Sequence, residues 1–314
     1  MMRAIVCVLI ACMTAVGTFP VAQTQAPTFR AAAEGVSVEV SVQAGTRLVT
    51  NLQVGDFEVF DKGVPQTVVD MTYGKLPIDV TIALDVSFSV TGTMLDRLRR
   101  AVGQLMRDLR PEDRLRLMMF NAGVARIVDY SSDPDVIDAA MKTATAGGGT
   151  SLNDAISLAL VSSRAPGRRQ LIVVFTDGID ASSTTSMPVL GEVAGRTTAT
   201  LTMVMPGSAP VIAQQFSNST MVPALTRTIL ASPRLWGVNA AYASLTASTG
   251  GTVVPFRANE DLGSVFRRVL DSFRSTYVLH YLPTGVERGG FHELRVTVKR
   301  PNTTVVARRG YFGG

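Results

Sequence analysis

Three short, mostly apolar runs constrain the fold of this chain more than any other feature. Residues 80–84, 171–175 and 201–205 are rich in β-branched and large apolar side chains and show no polar alternation. Strands buried on both faces of a parallel sheet have this pattern. Amphipathic helical segments separate the runs, and such alternation of strands and helices favours the α/β class with a doubly wound, mostly parallel sheet.

Helical periodicity is clearest in four segments between and after these runs. Apolar residues recur at three- and four-residue steps in residues 94–109, 152–161, 236–247 and 262–273, and a shorter helical stretch lies near 136–141. We expect further strands at residues 115–120 and 252–256. Residues 206–233 contain four prolines and no sustained period, which indicates an irregular insertion.

Both ends of the chain have the two-residue period of half-buried strands. Residues 36–42 alternate valine with polar side chains, and short apolar segments follow up to residue 71. Similar segments occur at residues 277–281, 294–298, 305–306 and 311–312. Each end alone is too small to bury much surface. We therefore expect one small β-domain built from the N-terminal (27–75) and C-terminal (276–314) segments, flanking an α/β domain at 76–275.

The first 26 residues resemble a secretory signal peptide. Arg3 precedes an apolar run to residue 16, and small residues follow, with cleavage expected near Ala22 or Ala26. The alternative is an uncleaved anchor, because the run is only somewhat short of a bilayer span. A second alternative is a lipoprotein acylated at Cys12, since residues 9–12 resemble a lipobox. Each interpretation places the protein outside the cytoplasm, secreted or in the periplasm and cell envelope.

Composition excludes several classes of protein. A content of 46% hydrophobic and 18% charged residues over 314 positions excludes wholesale disorder. The net charge of +5 comes without any run of like charges, so nothing favours nucleic acid as a partner. Both cysteines lie within the first 26 residues, which leaves the rest of the chain without a thiolate ligand or nucleophile. No later stretch reaches 18 apolar residues, so we expect no membrane span after cleavage.

Oxygen-bearing side chains follow the first buried strand directly. Asp85, Ser87 and Ser89 occupy alternate positions after residues 80–84. Open α/β sheets bind ligands at the carboxyl ends of their strands. Hard oxygen ligands of this kind suit Mg²⁺, Mn²⁺ or Ca²⁺.

Two further loops carry similar residues. Thr150 ends a run of three glycines before a helix, and Asp177 follows the strand at residues 171–175. All three loops are expected at one edge of the sheet. Each piece also has a local interpretation: Ser151 can open a capping box with Asp154, residues 177–178 can form an ordinary turn, and the two serines can bond their own backbone.

Taken together, the three pieces resemble the metal-ion-dependent adhesion site of von Willebrand factor type A domains. The resemblance covers roughly residues 76–275, and the joint occurrence of the pieces is its specific feature. It implies that Ser87 and Ser89 coordinate a divalent cation through their hydroxyls. It further implies that Thr150 binds directly when a ligand is engaged, and that Asp85 and Asp177 act mostly through water. The cation is expected to be Mg²⁺, or else Mn²⁺ or Ca²⁺.

The expected function is a secreted or envelope-associated adhesion or scaffold module without enzymatic activity. A Mg²⁺ ion with few direct carboxylate ligands stays electrophilic and accepts a carboxylate from a partner protein. The flanking residues 55–59, 249–251 and 309–311 resemble a secreted, acidobacterial-type branch of proteins that carry this domain.

Three alternatives remain at the level of sequence. A phosphatase-type hydrolase would use Asp85 as its nucleophile, but Ser87 stands where such enzymes have an acid, and a hydroxyl cannot protonate a leaving group as a carboxylic acid does. The two histidines, His280 and His292, flank one loop and offer either a zinc pair with too few ligands or ordinary strand positions. Finally, the β-domain itself can be the part that binds, with the cation only stiffening its neighbour.

Overall fold

The computed structural model describes residues 35–45, 47–90, 92–162, 165–206 and 234–313. The predicted signal peptide, Cys12 and nearly all of the insertion predicted at residues 206–233 lie outside the described residues. Among the described residues, no helix combines the length and the apolar character needed to cross a bilayer.

The described residues form fifteen strands and six α-helices. The strands are β1 (Val36–Ala44), β2 (Arg47–Leu48), β3 (Phe57–Asp61), β4 (Val64–Gln66), β5 (Val68–Tyr73), β6 (Ile78–Asp85), β7 (Arg114–Phe120), β8 (Val124–Ser131), β9 (Arg169–Phe175), β10 (Thr200–Pro206), β11 (Val253–Phe256), β12 (Tyr277–Tyr281), β13 (Gly290–Val298), β14 (Thr304–Ala307) and β15 (Gly310–Gly313). The helices are α1 (Thr93–Asp108), α2 (Pro134–Lys142), α3 (Leu152–Ser162), α4 (Met187–Gly195), α5 (Arg234–Ser248) and α6 (Leu262–Arg274).

The central sheet has six strands in the order β11-β10-β9-β6-β7-β8. All neighbours are parallel except β7 and β8, which are antiparallel. The strand order reverses beside β6, because the chain continues from β6 to β7 on one side and later returns to place β9 on the other. Ligands of doubly wound sheets bind in the crevice at such a reversal.

Helices cover both faces of this sheet, as the unalternated strands predict. Residues of α1, α2 and α6 form one apolar core with Ile82 and Leu84 of β6, and residues of α3, α4 and α5 form the other with Ala83. Adjacent side chains of β6 therefore enter opposite cores. The predicted α/β class with a doubly wound, mostly parallel sheet is confirmed.

The strands from the two ends of the chain pair with one another in two antiparallel sheets. One sheet has the order β14-β1-β12-β5, with β2 attached to β1, and the other has the order β15-β13-β3-β4. Val38, Val40 and Val42 of β1 are fully buried in the core that the two sheets share, as their alternation predicts. A flanking β-structure built from both ends is therefore present, while the exact domain boundaries stay a prediction.

Polar contacts join these sheets to the amino edge of the central sheet. Glu39 of β1 accepts hydrogen bonds from Arg169 and Thr200, the first residues of β9 and β10, at 2.8 Å each. The carboxyl ends of the same strands lie at the opposite edge, where the candidate site is.

Two elements of the α/β domain were not predicted from the sequence, β8 and α4, and neither were the short strands β2 and β4. The register of β8 on β7 shifts twice, and such irregularities interrupt the alternation by which an edge strand is recognised. Helix α4 contains Gly191 and Gly195, so its intrinsic helix propensity is low. Its burial against the central sheet stabilises it instead.

Candidate metal-binding site

Asp85 is the last residue of β6 and is fully buried. Its Oδ1 accepts a hydrogen bond from the Ser87 amide at 2.9 Å, and its Oδ2 accepts one from the Thr176 hydroxyl at 2.9 Å. Thr176 follows the neighbouring strand β9. The carboxylate is thus fixed by its own loop and by the loop across the crevice.

Ser87 and Ser89 bring two hydroxyl oxygens to the same point. Their Oγ atoms are 3.1 Å apart. Two adjacent ligands of an octahedral Mg²⁺ ion, each at 2.0–2.1 Å from the metal, are separated by about 2.9 Å. The two hydroxyls therefore have the spacing of neighbouring ligands on a hard cation, although the same spacing also allows a hydrogen bond between them.

Asp177 approaches this pair from the loop after β9. The Ile179 amide donates to its Oδ1 at 2.9 Å. The Ser89 hydroxyl is near enough to lower the pKa of the Asp177 carboxyl, and the charge of Asp177 raises the pKa of Asp85, so Asp177 lies close to the loop that follows β6. The structure thus brings Asp85, Ser87, Ser89 and Asp177 together.

Thr150 is buried in the third loop, which is tied to both others through the backbone. The Gly147 amide donates to the Val86 carbonyl at 2.8 Å, and the Thr150 carbonyl accepts from the amides of Ala181 and Ser182 at 2.8 and 3.0 Å. Gly148 has a φ of 81°, a conformation that residues with a Cβ rarely adopt. These backbone contacts place Thr150 in a loop that adjoins the loops after β6 and β9.

The capping box predicted for Ser151 and Asp154 is replaced by contacts from another loop. The Leu152 amide donates to Asp180 and the Asp154 amide to the Ser183 hydroxyl, at 2.9 and 3.1 Å. The Asp154 carboxylate instead accepts hydrogen bonds from residues 184–185. The start of α3 is therefore locked to the segment that carries Asp177.

Burial makes both carboxyl groups costly to ionise. Burial, followed by the nearby charge of Asp177, raises the pKa of Asp85 to about 6, although the hydrogen bonds from Ser87 and Thr176 oppose this shift. Partial burial likewise raises the pKa of Asp177 against the hydrogen bonds from Ile179 and Ser89. Among the ion pairs of the described residues, none includes either carboxylate.

The donor set fits a hard divalent cation held largely through hydroxyls and water. Within the described part of the chain, no group of three or more His, Cys, Asp or Glu side chains is placed to hold a metal. The two carboxylates and the serine hydroxyls are all oxygen donors, and Mg²⁺ typically retains several waters and takes one or two carboxylates. Two buried acids without a basic partner are the electrostatic counterpart of such an ion.

Thr176 and Asp180 had no predicted role, although both hydrogen-bond the residues that position the site. Thr176 bonds Asp85 and also accepts from the Gly178 amide at 3.1 Å. A hydroxyl directly before the acidic residue of a strand end was visible in the sequence. The contact of Asp180 with α3 spans 28 residues and had no local pattern.

The two histidines form hydrogen bonds with different partners. His280 of β12 pairs with the Ser37 hydroxyl, and His292 of β13 pairs with Asp61, at 2.8 Å each. Strands β12 and β13 belong to different sheets. The structure favours the interpretation as ordinary strand histidines over the zinc pair.

One protein-family model matches the part of the chain that contains the candidate site. Residues 80–179 match the model of the von Willebrand factor type A domain. The matched segment contains all five predicted site residues. A search of curated protein sequences found no match.

Several solved structures are similar to this chain. A von Willebrand factor type A protein from Catenulispora acidiphila is 12% identical, with a TM-score of 0.48 over 83% of this chain and 75% of that chain. An aerotolerance-related membrane protein from Bacteroides fragilis is 18% identical, with a TM-score of 0.45 over 62% of this chain and 98% of that chain. The manganese-loaded TRAP protein of Plasmodium vivax is 13% identical, with a TM-score of 0.41 over 80% and 98%.

Proposed function

We propose that this protein is a secreted or envelope-associated binding module that recognises a carboxylate of a partner protein through a bound divalent cation. The observation that carries the proposal is the convergence of oxygen atoms from separate loops at the crevice beside β6. Asp85, Ser87 and Ser89 are joined by hydrogen bonds there, Asp177 is near enough to shift the pKa of Asp85, and Thr150 lies in the adjoining loop. The arrangement corresponds to a metal-ion-dependent adhesion site.

Each residue has a distinct part in this proposal. Ser87 and Ser89 present neutral hydroxyl oxygens as direct ligands, and Thr150 is the third hydroxyl, available when a partner binds. Asp85 is held by the Ser87 amide and the Thr176 hydroxyl, which orients its charge toward the site without bringing it forward as a direct ligand. Asp177 supplies the second negative charge. Mg²⁺, or Mn²⁺ or Ca²⁺ in its place, provides the Lewis acidity that attracts the partner's carboxylate.

The geometry favours binding over hydrolysis. Both oxygens of Asp85 accept hydrogen bonds, and the carboxylate is fully buried, so it is poorly exposed for attack on a phosphate ester. The position of a general acid two residues later is occupied by Ser87. We therefore propose a protein without enzymatic activity. Turnover of a generic phosphate ester that requires Mg²⁺ and Asp85 would contradict this.

The location follows from the N-terminal sequence. A basic residue, an apolar run and small residues within positions 1–26 indicate export. Residues 55–59, 249–251 and 309–311 resemble the acidobacterial-type secreted branch, which supports this proposal. A partner in the envelope or outside the cell is the corresponding proposal.

Cation binding is the first test. Isothermal titration of the full chain with Mg²⁺ should show binding that EDTA abolishes. Asp85→Ala should weaken this binding by about tenfold or more, which is the usual effect of removing a carboxylate that orients the ligands of a metal. Asp138→Ala is the matched control, because Asp138 is an exposed carboxylate paired only with Lys142 on α2. Unchanged Mg²⁺ affinity in Asp85→Ala would refute the site.

Recognition of a carboxylate is the second test. A short peptide with one Asp, immobilised on a sensor surface, should bind the protein with Mg²⁺ and release it with EDTA. The same peptide with Asn in place of Asp should not bind, because the amide is a weaker ligand for a hard cation. Equal binding of the two peptides would contradict carboxylate recognition even where the cation binds.

A further inference from the structure

Phe88 is the most exposed large apolar side chain in the described part of the chain, at 67% exposure. It stands between Ser87 and Ser89, the two proposed cation ligands. Its amide donates to the Gly148 carbonyl at 3.2 Å, and its ring lies in van der Waals range of Gly147, where a Cβ would be 3.8 Å from Cε1. The aromatic ring is therefore held at its base while most of its surface faces solvent.

The fold gives no reason for a phenylalanine at this position. An exposed aromatic ring forgoes most of the stabilisation that burial would supply. The turn itself is formed by backbone hydrogen bonds that any residue provides, such as the bond from the Val90 amide to the Ser87 carbonyl at 3.0 Å. An exposed aromatic side chain at the mouth of a polar site has instead the character of a binding anchor.

The charges around Phe88 restrict what can bind there. The four loops at this edge, residues 85–90, 121–123, 146–151 and 176–182, contain three aspartates and neither lysine nor arginine. A partner with several acidic groups would therefore meet repulsion from the loops and attraction only at the cation. The remaining exposed residues nearby are small, including Ala122 and Ala181. A single carboxylate with apolar surroundings suits this edge better than an acidic cluster.

We infer that Phe88 sets the specificity of the site for a partner segment in which one acidic residue is flanked by a large apolar side chain. The carboxylate reaches the cation while the apolar neighbour packs on the Phe88 ring. This inference rests on the proposed function, and it adds the chemistry of the second contact. Phe88 is a partner-binding residue in this scheme and takes no part in holding the cation.

The test uses the full chain with Mg²⁺ and three short synthetic peptides. The first has one Asp flanked by Leu, the second has the same Asp flanked by Ser, and the third has Asn in place of Asp with Leu on both sides. Dissociation constants are measured for the native chain, for Phe88→Ala and for Val69→Ala. Val69 is the matched control because it is 59% exposed on β5, outside the loops of the site.

We expect the Leu-flanked Asp peptide to bind the native chain about tenfold more tightly than the Ser-flanked one, the effect of burying a modest apolar contact. Phe88→Ala should remove this preference while its Mg²⁺ titration stays like that of the native chain, and Val69→Ala should retain the preference. Equal affinity of the two Asp peptides for the native chain, or a preference that survives in Phe88→Ala, would overturn the inference alone. Equal binding of the Asn peptide would overturn carboxylate recognition as well.

Discussion

Strand β6 carries a buried aspartate at each end, and the two differ in how their charge is balanced. Asp79 and Asp85 are both fully buried. Asp79 accepts two hydrogen bonds from Arg114, at 3.0 and 2.7 Å, and further bonds from Arg168 and Gln170. Asp85 accepts hydrogen bonds from the Ser87 amide and the Thr176 hydroxyl, and within the described residues it has no ion pair. The same residue type in the same strand thus has cationic partners at the amino edge and neutral ones at the carboxyl edge.

The pKa values of the two carboxyl groups move in opposite directions. Burial opposes ionisation of Asp79, but the hydrogen bonds from Arg114 and Arg168 outweigh it and lower its pKa. Burial and the charge of Asp177 raise the pKa of Asp85. At the amino edge, the charge of Asp79 is therefore balanced by arginine side chains. At the carboxyl edge, the charge of Asp85 is one that an external cation would balance. This difference is the physical reason to place function at Asp85.

Removing one charge at each end should have the largest effect on stability and should separate the two roles. Asp79→Asn is expected to lower the free energy of unfolding by about 3 kcal/mol. This value is at the lower end of the range for breaking a buried ion pair, because the side chain of Arg114 is partly exposed to water. Asp85→Asn should leave the metal-free protein as stable as before or slightly more stable, since it removes a buried charge without a cationic partner. Urea denaturation in EDTA measures both.

The two variants also act as controls for each other. They make the same chemical change at equally buried positions of one strand, so a general intolerance of β6 to amide substitution would lower both stabilities alike. A loss in Asp85→Asn as large as that in Asp79→Asn would show that Asp85 is a structural acid. The comparison between the two ends of the strand would then fail.

Mg²⁺ should stabilise the native chain by a nearly comparable amount. A ligand that binds only the folded state at a hundred times its dissociation constant adds about 2.7 kcal/mol. We expect this gain in thermal unfolding of the native chain and of an Arg114→Gln variant, whose carboxyl edge is intact. In Asp85→Asn, at the same Mg²⁺ concentration, a tenfold or greater loss of affinity should reduce the gain to about 1.4 kcal/mol or less. An equal gain in all three proteins would place the bound ion elsewhere.

Much of this organisation follows from local sequence patterns. The buried strands β6, β9 and β10 are recognisable in the sequence as apolar runs. Because the carboxyl ends of parallel strands lie at one edge of the sheet, Asp85 and Asp177 are predicted to lie in one crevice. The hydroxyls at alternate positions after β6 complete the candidate site. These features need only neighbouring residues and one topological rule.

The balance of charge could not be predicted in the same way. Asp79 is followed by an ordinary buried strand, and its partners Arg114 and Arg168 are 35 and 89 residues away in the sequence. Only the register of β6 against β7 and β9 brings them together. Strand β8 and helix α4 were missed for a related reason, because tertiary packing stabilises them where the local pattern is irregular. The sequence therefore shows which acids are at strand ends and does not show which have partners.

Acid titration should reveal the structural role of Asp79 by its sign. Because the folded-state pKa of Asp79 lies below that of the unfolded chain, its contribution to stability is present above the unfolded value of about 4 and is lost as the pH falls through the folded value. The stability difference between the native chain and Asp79→Asn should therefore shrink as the pH falls below about 4. Denaturation in EDTA at several pH values measures it. A difference that grows on acidification would contradict the lowered pKa.

The smallest effects on stability should come from hydroxyl removal, and they distinguish the edges most sharply. Ser87→Ala deletes a buried hydroxyl that pairs with the Ser89 hydroxyl at 3.1 Å and also interacts with Asp85, so the free energy of unfolding should fall by about 0.5 kcal/mol, the lower end for a net hydrogen bond. Thr200→Val removes the hydroxyl that donates to the partly buried Glu39 and should lower the free energy of unfolding by about 1 kcal/mol.

Mg²⁺ affinity should respond in the opposite order. Ser87→Ala removes a proposed direct ligand and should weaken Mg²⁺ binding by about tenfold, whereas Thr200→Val, at the far end of the sheet, should bind as the native chain does. Isothermal titration with Mg²⁺ compares the two. If Ser87→Ala destabilises the fold as much as Thr200→Val and leaves Mg²⁺ affinity unchanged, the serine hydroxyl is a structural group, and the oxygen cluster beside β6 loses its assignment as a cation site.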